Sequence, residues 1–201
     1  MDGDDLLTDG ALAAVASRLA VTEPDVLLIG FARLEPSGAV EPNAWRHLLG
    51  ESHSGQVFTL RDRPDAIRLT MTCWSKVIRR AFLTGLAFRF EPGIHEDVPF
   101  TWAVLMNATR IATLDRVCYL YRQRRGGALT AAPTRDNFQI FARYEKVFAA
   151  IGFRPADLSV SGRSYPTAPS GRRLLDTAAA GRDILAASRP ILPGAIRLGQ
   201  I

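Results

Sequence analysis

The spacing of apolar positions along the chain predicts helices alternating with short strands. Leu12, Val15, Ala16 and Leu19 recur at helical intervals behind Thr8, a residue suited to an N-cap, and Pro24 closes that segment. Residues 25–34, DVLLIGFARL, form a continuous apolar run of strand length, the pattern of a strand covered on both faces. Ser37 and Gly38 mark a turn, 42–50 reads as a short exposed helix, and 61–64 reads as a break. Over 65–86 the period is helical, with Trp74, Val77, Ile78, Phe82 and Leu83 on one face and Lys76, Arg79 and Arg80 on or beside the polar side. Phe88 and Phe90 flank Arg89 as in a short strand, and 98–108 reads as an amphipathic helix. Two short strands, 111–114 and 117–121, are expected around a hairpin-like turn at Asp115. A last helix spans 136–151, with Phe138, Phe141, Tyr144, Val147 and Phe148 as its packing face. Beyond Gly152 the character changes: 153–170 is rich in Pro, Ser and Gly, as in a linker, and a weak helix over 172–187 precedes Pro190 and Pro193.

Composition narrows the class. A chain of 201 residues that is 47% hydrophobic can bury a sizeable core. Its longest apolar run, 26–31, is of strand length, and its first residues are acids where an export signal carries basic residues, so a cytoplasmic location is expected. Cys73 and Cys118 lack the spacing of a zinc site and read as buried thiols. The net charge of +5 invites a nucleic-acid reading, but the basic residues are scattered from Arg18 to Arg197 and nearly all are arginine. Nucleic acid is therefore not expected as a partner; an anionic membrane surface, met peripherally, or a phosphorylated substrate suits the charge better.

Three clusters carry candidate chemistry. The chain opens MDGDDLL, and Asp2, Asp4 and Asp5 cannot all point into a core; they are either a solvated terminus or oxygen ligands for a hard cation such as Mg2+ or Mn2+. In FRFEPGIHEDVPF the pair Glu96 and Asp97 stands where a loop enters an apolar helix, as a helix cap or as a base. In YRQRRGGALT, Arg122, Arg124 and Arg125 precede two glycines, as a solvated basic cluster or as guanidinium groups that grip a diphosphate.

Four blocks in order, DGDDLLTDGAL, TCWSKVIRRAFL, FEPGIHEDVPF and YLYRQRRGGALT, resemble the inverting nucleotide-sugar glycosyltransferases of family 2 type with the GT-A fold. Within that family the chain is most similar to the glycosyltransferase-like N-terminal domain of actinobacterial proteins that also carry a CDP-glycerol glycerophosphotransferase module; YRQRRGGALT and NFQIFARYEKVF carry that likeness. The resemblance covers roughly residues 1–151 and implies an α/β fold, a truncated GT-A-like arrangement with a small mixed sheet flanked by helices and a loosely structured tail over 152–201. It implies that Asp2, Asp4 and Asp5 lie by a Mg2+ or Mn2+ ion and the donor diphosphate, and that Asp97 is the general base with Glu96 as its supporting partner. Trp74 and Lys76 match the wall on the acceptor side, and Arg122, Arg124 and Arg125 the basic strand end near the diphosphate. The expected partners are a nucleotide-sugar donor and a glycan or polyol-phosphate acceptor, and the expected role is in cell-envelope polysaccharide or teichoic-acid-type polymer synthesis. In the family the nucleotide-binding strands and helices come ahead of the acidic block, where this chain has only Met1. Little or no transferase activity is therefore expected of these 201 residues by themselves, and the alternative expectation is a catalytically inactive remnant that serves as an interaction module.

Overall fold

The computed structural model describes residues 2–50, 56–69, 72–86, 88–123 and 138–150. The chain builds a mixed sheet around one central strand, with helices on both faces. Strand β1 (Leu6–Leu7) leads into helix α1 (Ala11–Thr22), and then come β2 (Val26–Leu34) and β3 (Val40–Pro42). After 3-10 turns at Arg46–Leu49 and Pro64–Arg68 follow β4 (Lys76–Ile78), α2 (Arg80–Gly85), α3 (Asp97–Asn107), β5 (Ile111–Arg122) and α4 (Gln139–Ala150). The order across the sheet is β1-β5-β2-β3, with β4 also on β2. β5 runs parallel to β2, whereas β3 and β4 pair antiparallel with its C-terminal and N-terminal halves.

The apolar run of β2 is explained by burial on both faces. Val26 and Leu28 point into a cluster with Leu49, Phe58, Ile67 and the residues of α3 and α4, while Leu27 and Ile29 join Ala11, Ala112, Cys118 and Tyr119 on the α1 side. Helix α3 is buried from Val98 through Leu105, so it is a core helix and not the amphipathic one its sequence predicts. Pro99 fits within its first turn, where a missing N–H costs nothing.

Several expectations are corrected. The stretch 111–122 is one strand without a hairpin: the register against β2 shifts after Ile29 and again after Gly30, so Asp115 and Arg116 form a bulge. Gly30 permits it, because a Cβ there would lie 2.5 Å from the Arg116 carbonyl oxygen. Residues 65–86 are not one helix; a strand passes through them, so Trp74 and Val77 turn to the α1 side while Ile78, Phe82 and Leu83 face α3. Lys76 consequently enters the interior and not a polar face. Residues 88–90 form no strand, and 42–50 holds the end of β3 and a 3-10 turn with Leu49 buried. On α4, Tyr144 and Val147 pack inward as expected, but Phe138 and Phe141 are exposed and Arg143 is buried in their stead. Arg124, Arg125, the helix over 172–187 and the whole stretch 152–201 lie outside the described residues.

Asp25 fastens the end of the sheet away from the basic strand terminus. Its carboxylate accepts the Thr109 N–H and hydroxyl and the Arg110 N–H, and is paired with Arg79. Burial raises this carboxyl, but the hydrogen bonds from Arg79, Thr109 and Arg110 outweigh it, holding it below its ordinary range.

Candidate functional site

The sheet topology delivers four separate segments to the end where β2 and β5 finish. Strand β4 runs antiparallel to β2, so the residues just ahead of it, 72–75, are carried toward that end; the Ile29 N–H donates to the Ser75 carbonyl on the way. Strand β5 ends in Arg122, opposite Leu34. The acidic N-terminus lies along the other edge of β5, since β1 pairs with it at Leu6–Leu120 and Leu7–Tyr119.

An aromatic stack joins these pieces. Tyr119 and Tyr121, two residues apart on one face of β5, both stack on Trp74, at centroid distances of 4.7 and 5.1 Å, and Phe31 of β2 meets Trp74 edge-on at 4.8 Å. The Tyr119 hydroxyl donates to Asp5 Oδ2 at 2.5 Å, and Asp5 Oδ1 accepts the Arg122 N–H at 2.8 Å. Asp5 is thus a buried carboxylate engaged at both oxygens, while Asp2 is exposed and Asp4 half-buried beside it. The Arg122 guanidinium folds back over this corner, its Nε donating to the Asp4 carbonyl at 2.7 Å. The N-terminal acids and the basic strand end are therefore in direct contact.

Asp97 opens α3, where a carboxylate is favoured by the unpaired N–H groups and the helix dipole. The approach to it is constrained: Gly93 has φ +116°, a conformation glycine adopts without strain, and His95 has φ 60° in the left-handed region. Arg143 of α4 clamps this loop, donating to Glu91 at 2.9 Å, to the Pro92 carbonyl at 2.7 Å and to the Ile94 carbonyl at 3.4 Å; Gln139 accepts the Ile94 N–H. Burial lowers the His95 imidazole below its ordinary value, so the ring is neutral at pH 7.

The Asp97 carboxylate is held from the other side by Cys73, whose backbone N–H donates to Oδ2 at 2.9 Å. Burial and the neighbouring Asp97 charge push the Cys73 thiol up to about 11, so it stays protonated and hydrogen-bonds the carboxylate. Lys76 lies behind this pair, 7% exposed, and burial brings its ammonium down to about 7 while Cys73 and Asp97 pull the other way. Glu96 is half-buried at the N-cap of α3 and makes no side-chain capping bond.

Tyr121, stacked on Trp74, has both groups of acids among the charges acting on its phenol. Burial raises its phenol first, and the charges of Asp5, Asp2, Asp4 and Asp97 raise it further. One hydroxyl therefore lies within electrostatic reach of the N-terminal acids and of Asp97. The two tyrosines were legible as a Y-x-Y alternation on one strand face, and Gln139, Arg143 and Lys146 as a polar stripe at helical spacing; nothing in the sequence announces the Cys73 N–H.

The architecture, a mixed α/β sheet flanked by helices, is a GT-A-like fold. S. aureus TarS, as residues 1–349 in complex with UDP-GlcNAc, superposes with a TM-score of 0.54 at 23% identity, over 74% of this chain and 41% of that one. The same S. aureus TarS 1–349 without a named ligand matches with a TM-score of 0.53 at 20% identity, over 94% of this chain and 46% of that one. This chain thus spans less than half the length of those solved structures. No protein-family model and no curated protein sequence matches it.

Proposed function

We propose that this chain is the acceptor-side part of an inverting glycosyltransferase that moves a sugar from a nucleotide-sugar donor to an acceptor hydroxyl during cell-envelope polysaccharide or teichoic-acid-type polymer synthesis. The observation that carries the reading is a chain of contacts at one end of the sheet: Asp5 is bonded to Tyr119 and Arg122, Tyr119 stacks on Trp74, and the N–H of the neighbouring Cys73 donates to Asp97. The fold shared with TarS, solved with UDP-GlcNAc and with UDP, supports a UDP-linked sugar as the first donor to test. A glycan or polyol phosphate is the acceptor, and the arginine excess favours peripheral attachment to an anionic membrane face. No helix among the described residues is long and apolar enough to cross a membrane.

In this reading Asp97 takes the proton from the attacking hydroxyl, oriented by the Cys73 N–H and thiol, and Glu96 supports it. Trp74, fixed by its three aromatic neighbours, forms the acceptor wall. Lys76 stands behind that wall and not in it, because its side chain is buried. Arg122, followed by Arg124 and Arg125, neutralises the departing diphosphate. The described residues contain no group of three ligating side chains. A cation taking one or two of the carboxylates Asp2, Asp4 and Asp5 would complete its shell with phosphate and water; Asp5 also bonds Tyr119 and Arg122. When bound, Mg2+ or Mn2+ would supply positive charge beside the leaving group.

The test is transfer from UDP-GlcNAc by the protein as encoded in its genome. Asp97→Asn lowers kcat by about 10²- to 10⁴-fold with donor affinity retained; an Asp97→Asn protein with undiminished turnover overturns the assignment. A second reading, an interaction module without turnover, draws on the exposed Leu6 and Leu7 of β1 and Leu12 and Val21 of α1. A monodisperse monomer at high concentration counts against it.

A further inference from the structure

Lys76 matches an acceptor-binding position in sequence, yet its surroundings describe a different task. The side chain is 7% exposed, on a strand paired to the middle of the sheet. Its ammonium donates to the Thr72 carbonyl. The same carbonyl accepts the Ser75 hydroxyl at 3.2 Å, and the Thr72 and Ser75 hydroxyls share a hydrogen bond of 2.8 Å. These three hydrogen bonds brace one turn, and the residue after Thr72 in it is Cys73, whose N–H meets Asp97 at 2.9 Å. A buried ammonium is costly to keep unless its donors find acceptors, so it holds the carbonyl it meets.

We propose that Lys76 is a positioning residue: it locks the Thr72–Ser75 turn so that the Cys73 N–H and thiol hold the Asp97 carboxylate at a fixed angle toward the acceptor hydroxyl. The proposal rests on the reading of Asp97 as the base. Lys76 touches no substrate; it acts through Thr72 and Cys73. Orientation of a reacting group is worth large factors in rate, and a displacement of about 1 Å costs about 10²-fold. Loss of the strut therefore falls on kcat, whereas loss of a wall residue would fall on acceptor KM.

In the protein as encoded in its genome, the experiment pairs kinetics with amide exchange on Lys76→Met, which keeps the length and burial of the side chain and removes its charge and donors. Expected are a fall in kcat of about 10- to 100-fold with acceptor KM unchanged, and faster exchange of the Cys73 amide while the Thr109 and Arg110 amides at the opposite end of the sheet keep their protection. Ser75→Ala, which loosens the same turn with the ammonium in place, moves both readouts in the same direction and by less, and serves if Lys76→Met does not fold. A raised acceptor KM with unchanged kcat and an unaltered Cys73 amide overturns the proposal and returns Lys76 to the wall. Asp97→Asn in the same assay separates the two readings: undiminished turnover there defeats the base assignment, while the Cys73 amide still reports whether Lys76 braces the turn.

Discussion

At the scale of single residues, burial separates the charged groups held inside the fold from those open to solvent. Asp5, Asp25 and Lys76 are all enclosed, and each has several protein partners; Asp2, an equally acidic neighbour, is exposed. The sequence could not separate Asp5 from Asp2 and Asp4, because what distinguishes it is Tyr119, 114 positions away. Asp25 offers the clearest consequence. Its carboxyl in the fold lies below the ordinary value of 3.8, so the folded state binds fewer protons than the unfolded chain as pH falls past 3.8. The stability it contributes is complete above that value and is lost as pH drops through the folded one; Asp62 and Glu91 share the direction. Asp25→Asn costs about 3 kcal/mol at pH 7 and flattens the loss of stability between pH 4 and 2, checked by urea unfolding across that window.

At the scale of elements, the pairing of α4 with the loop before α3 sets the position of Asp97. Sequence reading placed a helix here and its apolar inward residues Tyr144 and Val147, but gave Phe138 and Phe141 the interior and overlooked Arg143. The reason is physical: a buried arginine is favoured only where carbonyls and a carboxylate already point at it, and those belong to Glu91, Pro92 and Ile94, far away in the chain. β2 was legible because two-sided burial writes itself into an unbroken apolar run, whereas β4, only three residues long, was hidden inside a longer helical period. Arg143→Ala strips three bonds from the loop and costs about 2 kcal/mol, read as a lower urea midpoint. The same substitution speeds exchange of the Ile94 and Val98 amides ahead of the rest of α3; uniform exchange throughout that helix would deny the clamp.

At the scale of the whole molecule, a parallel pair, β2 and β5, gathers at one end the acids of the N-terminus, the Trp74 turn and the entrance of α3. Open α/β sheets bind ligands beyond the carboxyl ends of their strands, and the proposed site lies at that end. The family resemblance set these segments around one site but not the contacts that join them, which are ring faces and backbone groups. The central claim, that the N-terminal acids and Asp97 border one cleft, is tested most directly by Mn2+ added with UDP while amide signals are followed by NMR. The account predicts strong paramagnetic broadening of Asp4, Tyr121, Cys73 and Asp97 together, with Thr109 at the far end of β5 left sharp. Broadening of Asp4 with Cys73 and Asp97 as sharp as Thr109 would contradict it.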